Sequence, residues 1–184
     1  MTRLLKNRLA LSTVITTLII LVVSILLASV LTYFAINVVS TRTQEESLHV
    51  SKQHIWVDAD GAASEAAVMV TNNGGRDVVI GQVSVRGQTA AWGNVFYAVA
   101  ADGEDLTADL TYVATPVAVG NDIGLTATAA ATTTSLILPS GSTIVIYINN
   151  PDSIGLNDIG LTVSIALHSA QAVYYSEVNI QAAP

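Results

Sequence analysis

Cysteine is absent from this 184-residue chain, so neither a disulfide nor a thiolate metal site can staple it, and stability must come from packing. Glycine and proline are both missing from Leu4 through Asp60, which leaves that stretch without a residue that would break helical hydrogen bonding. Charge is missing from Leu9 through Thr41, an interval longer than the roughly 20 apolar residues needed to cross a bilayer as one helix. Basic residues are few, seven against fourteen acidic. Three of the seven, Arg3, Lys6 and Arg8, stand directly before the apolar run. The rest of the chain therefore holds four basic against fourteen acidic groups, a formal charge of about −10. That balance argues against nucleic acid as a partner, because its binding depends on basic clusters. No Asn-x-Ser/Thr acceptor occurs anywhere, so N-glycosylation is not expected.

What is present begins with that apolar run. A secretory signal has an apolar core of roughly 7–15 residues followed by a small-residue cleavage site. Here the small-residue site, Leu9-Ala10-Leu11-Ser12, precedes the run, so a cut there would leave the hydrophobic segment on the mature protein. The sequence predicts a helix from Leu11 to Glu46, some 50 Å long at about 1.5 Å per residue, whose last turns emerge from the bilayer at Arg42, Gln44, Glu45 and Glu46. Arg3, Lys6 and Arg8 set the orientation: the positive-inside rule keeps them cytoplasmic and places the C-terminal domain outside. Small side chains recur along the run at Thr13, Thr17, Ser24, Ala28, Thr32 and Ala35. Spacings of three and four put them on one flank, where small residues let helices approach closely. The plainer reading is that Ser, Thr and Ala are tolerated in membrane helices because their hydroxyls bond back to the preceding turn.

The stretch Arg8-Leu9-Ala10-Leu11-Ser12-Thr13-Val14-Ile15, running into Leu18-Ile19-Ile20-Leu21-Val22-Val23, resembles the N-terminus of archaeal type IV pilins and the related archaellum-like filament proteins. The resemblance covers about the first 45 residues. It implies cleavage by a membrane prepilin peptidase between Ala10 and Leu11, with a cut after Arg8 as the alternative, and then assembly of a helical homopolymer by a pilus machinery. Thr13 stands where archaeal pilins often carry Pro. Ile15 stands where bacterial type IV pilins carry an acidic residue, which favours the archaeal group. The lack of a Gly-rich opening favours pilin over archaellin.

Beyond Ser47 the pattern changes from helical to alternating. Strands are predicted at Ser47–Val57, Ala66–Thr71, Val79–Val85, Asn94–Ala100, Leu110–Ala114, Ser135–Leu138, Thr143–Asn149, Leu161–His168 and Ala172–Gln181, with a strong turn signal at Asn72-Asn73-Gly74-Gly75. Val79, Gly81, Val83 and Val85 are expected to share a buried face, as are Leu161, Val163, Ile165 and Leu167. Ile144 through Ile148 is apolar on both faces, which places it mid-sheet. The expected fold is α+β: a basic leader (1–10), a transmembrane and filament-core helix (11–46), and an extracellular β-sandwich head (47–184), immunoglobulin-like with seven to nine strands.

Chemistry is sparse. The chain has no Gly-rich nucleotide loop and no Gly-x-Ser-x-Gly elbow, so no enzymatic activity, catalytic residue or cofactor is expected. His49 and His54 should fall on opposite faces of their strand, and His168 is distant in sequence, so no metal site is expected. Asp58 with Asp60, and Asp102 with Glu104 and Asp105, read as solvated turns that lack a full calcium-loop pattern. Asn121-Asp122-Ile123-Gly124-Leu125-Thr126 recurs at Asn157 to Thr162, and both copies suit a turn entering a strand. The expectation is a self-assembling surface-filament subunit for adhesion, held in the membrane as a precursor with its N-terminus cytoplasmic. The alternative is a cell-surface binding module tethered by an uncleaved signal anchor.

Overall fold

The computed structural model describes residues 2–43, 45–61, 63–100, 106, 108–113, 130–131 and 135–184, with the backbone alone described for 2–10, 42–43 and 130–131. The chain divides into two compact units, Met1–Thr43 and Gln44–Pro184. The first is a single helix, α1, spanning Thr2–Thr43. It starts nine residues before the expected Leu11, because the leader contains good helix formers and nothing that breaks a turn. It stops three residues before the expected Glu46. Beyond it, the Ser47 carbonyl accepts the N–H groups of Asn73 (2.9 Å) and Gly74 (3.1 Å), which commits that stretch to the β domain.

The second unit is all β. Its strands are β1 (Leu48–Val57), β2 (Ser64–Asn72), β3 (Val78–Val85), β4 (Gln88–Thr89), β5 (Val95–Val99), β6 (Ala130–Ala131), β7 (Leu136–Leu138), β8 (Thr143–Asn149), β9 (Thr162–Ser169) and β10 (Val173–Ala182). They form one ladder in the order β4, β3, β9, β10, β1, β2, β8, β5, β6, with β7 also paired to β3. Every described pairing is antiparallel except β1 with β10, which run parallel through Ile55↔Ile180, Trp56↔Gln181 and Val57↔Ala182. The ladder curls so that β3, β9 and β10 pack against β1, β2 and β8, as in a sandwich. Ile55, Val57, Val68, Val70, Ile80, Val85, Ile144, Ile146, Ile148, Ile165, Leu167 and Ile180 fill the space between and are almost fully buried. Burial of each such side chain contributes about 1.5–3 kcal/mol.

Two β-bulges change which residues face the core. Lys52 has φ of 49°, and the β1–β2 register shifts between Ser51 and His54. Leu48 and Val50 face the core before the bulge, and Ile55 and Val57 after it. The extra residue reverses the alternation, so His49 and His54 fall on the same face of β1, contrary to the expectation from simple alternation. In β3 the register against β9 shifts between Ile80 and Gln82, around Gly81. Val78 and Ile80 point inward with Val83 and Val85, whereas Val79 is 45% exposed, so Val79 and Gly81 do not belong to the expected buried set. Leu161 is also exposed and precedes β9.

The strand expected at Leu110–Ala114 does not form over its described residues: Leu110 to Val113 carry no ladder pairing. Instead they lie over the outer face of the sheet. Leu110 and Val113 join Trp56, Ala67, Ala98, Val145 and Tyr147 in a second buried cluster. This layer explains why β8 is apolar on both sides: Ile144, Ile146 and Ile148 face the main core, and Val145 and Tyr147 face the covering segment.

Candidate functional site

The sequence places the candidate assembly determinants on α1, and the structure puts all of them on one uninterrupted rod. Arg3, Lys6, Arg8 and Ala10 lie in its first turns, continuous with Leu11. From Leu11 to Thr41 the helix carries 31 residues, none of them buried within the chain, and its most apolar 18-residue stretch has a mean hydropathy of 2.9. Its length and composition suffice to cross a membrane. At 100° per residue, Thr13, Thr17, Ser24, Ala28, Thr32 and Ala35 fall within a sector of about 100°. Large apolar side chains stand exposed all around the helix: Leu27 and Phe34 lie outside that sector, and Leu21 and Leu31 lie within it.

Three hydroxyls on this flank bond within the helix. Thr17 Oγ1 donates to the Val14 carbonyl (2.9 Å), Ser24 Oγ to Ile20 (2.7 Å) and Thr32 Oγ1 to Ala28 (2.8 Å). Thr16, Ser29 and Thr41 do the same on other sides, and the Asn37 amide donates to the Tyr33 carbonyl at 3.1 Å. Such back-bonding satisfies each donor at no demand on the surroundings. Thr17, Ser24 and Thr32 therefore offer shape to a neighbouring helix and no hydroxyl proton.

Among the described residues, no group of three or more His, Asp or Glu side chains could hold a metal ion. His54 Nε2 sits 3.0 Å from Asp109 Oδ1. Its ring stacks on Trp56 with centroids 5.0 Å apart, while His168 Nε2 lies 3.3 Å from Ser84 Oγ. Of the repeated Asn-Asp-Ile-Gly-Leu-Thr motif, the copy at 121–126 lies outside the described residues, as do Asp102, Glu104 and Asp105. In the second copy Asp158 closes a short 3₁₀ turn. Its carboxylate accepts the Gly155 N–H at 2.9 Å and pairs with the Arg86 guanidinium at 3.0 Å. These two contacts hold the Asp158 carboxyl below the usual range, the backbone hydrogen bond most strongly. Of the aromatic residues, Trp56 is core, and Tyr175 is 70% exposed on β10.

One cluster was not foreseen. The segment of residues 106 and 108–113 crosses β8, β2 and β1 and is tied to each. Tyr147 Oη donates to the Thr111 carbonyl at 3.0 Å, and the Val113 N–H donates to Glu65 Oε1 at 3.0 Å. His54 meets Asp109, and Lys52 Nζ donates to the Leu106 and Ala108 carbonyls. Glu65 is only 2% exposed. Burial pushes its carboxyl up to about 7, against the opposing pull of the Val113 N–H. Asp109 moves the other way, held down chiefly by its hydrogen bond to His54. The local sequence Ser64-Glu65-Ala66-Ala67 reads like an exposed strand start. The one signal that could have exposed the cluster is the apolar character of both faces of β8, which requires a cover on its outer side.

No protein-family model and no curated protein matches the chain.

Proposed function

We propose that the chain is a structural subunit of an archaeal type IV pilus-like surface filament, anchored in the membrane as a precursor and assembled through α1 after removal of the leader. The observation that carries this reading is the Leu11–Thr41 span, long enough for a bilayer and with no side chain buried within its own chain. Such a surface must be sheltered by lipid or by other helices, because each exposed Leu, Ile or Val left in water forgoes about 1.5–3 kcal/mol. Sister helices provide that shelter outside the membrane. The small flank from Thr13 to Ala35 supplies the close approach, and head-to-tail contacts that do not close generate an open helical polymer. Adhesion is the role such a polymer would serve at the surface.

The deciding measurement is mass spectrometry of the native N-terminus, taken from a cell-surface shear fraction checked for filaments by negative-stain microscopy. Filaments built from chains that begin at Leu11 support the proposal, and a start at Leu9 supports the alternative cut with the same assembly. An intact Met1 on membrane-bound, unpolymerised protein supports a tethered binding module instead. An extracellular form that starts at Ser40 or later overturns both.

A further inference from the structure

We propose that the segment of residues 106 and 108–113 is a pH-operated latch: it lies flat on the outer face of β1, β2 and β8 in mildly acidic medium and lifts in alkaline medium, uncovering Trp56, Ala67, Val145 and Tyr147. The inference concerns the β domain alone and stands whether or not the chain forms filaments.

The geometry supplies both the hold and the release. The segment makes no strand ladder over its described residues, so its attachment rests on a few side-chain contacts and the burial of Leu110 and Val113. Two of those contacts involve titratable groups, Glu65 with the Val113 N–H and His54 with Asp109. The groups facing the segment are Lys52 and His54 from β1, Asp58 and Asp60 from the following turn, Glu65 from β2 and Tyr147 from β8. Asp109 and Tyr112 belong to the segment itself. Among the described residues no cation forms an ion pair with Glu65, and Asp58, Asp60 and Glu65 act together on the Tyr112 phenol, adding to burial in pushing it up.

A neutral Glu65 carboxyl accepts the Val113 N–H and tolerates burial. An ionised one is a buried anion with one backbone donor for compensation, an arrangement that favours rehydration. Lifting the covering segment is the shortest route for water to reach it. At the second contact the His54 ring hydrogen-bonds the Asp109 carboxylate, which that bond holds below its ordinary range. Lys52 grips the Leu106 and Ala108 carbonyls, so the segment should open from its 110–113 end.

Amide hydrogen exchange on the full chain in detergent micelles tests this, at pH 5 and pH 8.5 after correction for intrinsic rates. The Leu110 and Val113 amides should lose protection on the order of 100-fold across neutrality, with a red shift of Trp56 emission, while the amides of β8 keep theirs. Glu65→Gln preserves the acceptor and removes the charge, and should hold protection at pH 8.5. Constant protection in the wild type, or an equal loss in E65Q, overturns the latch. Should E65Q not fold, NMR titration of the wild-type Glu65 carboxyl replaces it. Coincidence of its midpoint with that of segment opening supports the proposal, and separate midpoints overturn it.

Discussion

Gly74 lies against Glu45 so closely that a Cβ added to the glycine would fall 2.7 Å from the Glu45 main-chain oxygen and 2.8 Å from the Ser47 nitrogen. Both obstacles are backbone, so neither can swing aside. Through this contact the β2–β3 turn holds the stretch that follows α1. Gly74→Ala should therefore destabilise the β domain by about 2 kcal/mol or more, read as a fall of several degrees in its thermal midpoint. An unchanged midpoint would show that the turn is not fastened to that stretch.

Asn72 organises the same turn from inside. It is fully buried, its amide donates to the Arg76 (2.8 Å) and Leu138 (3.1 Å) carbonyls, and its Oδ1 accepts the Gly74 N–H at 3.0 Å. Asn72→Ala would remove the side-chain donor to two carbonyls and leave the Gly74 N–H with the Ser47 carbonyl alone. Unsatisfied buried groups carry a penalty of about 1–3 kcal/mol each, so chemical denaturation should show a loss of at least about 2 kcal/mol.

On α1 the small flank can be tested without touching the cleavage site. Ser24→Leu or Ala28→Leu keeps the span apolar and should leave membrane insertion intact, while the added bulk keeps neighbouring helices apart. The expected outcome is normal precursor in the membrane fraction with filament yield reduced several-fold in the shear fraction. Replacing a residue on the opposite side, Leu26→Ile, should leave yield unchanged.

The stability of the β domain should depend on pH in a defined sense. Glu65 has a folded-state value raised from 4.5 to about 7. Its stabilising effect is thus fully present below pH 4.5 and is lost as the pH rises through about 7. A shift of that size corresponds to roughly 3 kcal/mol at most. Asp109 is lowered from 3.8, so its contribution is present above that value and disappears only as the pH falls through the lowered one. Urea midpoints measured from pH 3 to pH 9 should peak near pH 4–5 and decline toward neutrality. In E65Q the decline between pH 5 and pH 7 should vanish.

The sequence exposes α1 plainly because the absence of charge, glycine and proline from Leu9 to Thr41 is a local property. Most strands of the head were legible for the same reason, through their alternation and through turns such as Asn72–Gly75. What stayed hidden depends on distant parts of the chain. The bulges at Lys52 and Gly81 each add one residue to a strand, and alternation read in one strand cannot reveal a register set by its partner. Leu110 to Val113 have strand-like residues but cover a sheet instead of joining it. Glu65 looks solvated until that cover is in place. The candidate site on α1 was thus read from composition, and the titratable cluster under residues 108–113 could be read only from tertiary structure.

The seam between β1 and β10 has a mechanical meaning. β1 follows α1 after a few residues and is flanked by β2 along most of its length and by β10 at Ile55–Val57. Tension applied at the start of β1 and directed along that strand would act across hydrogen bonds that run sideways between strands. Those bonds would resist together, in shear, where peeling would break them singly. The strand that receives the load is stitched on both edges at Ile55–Val57.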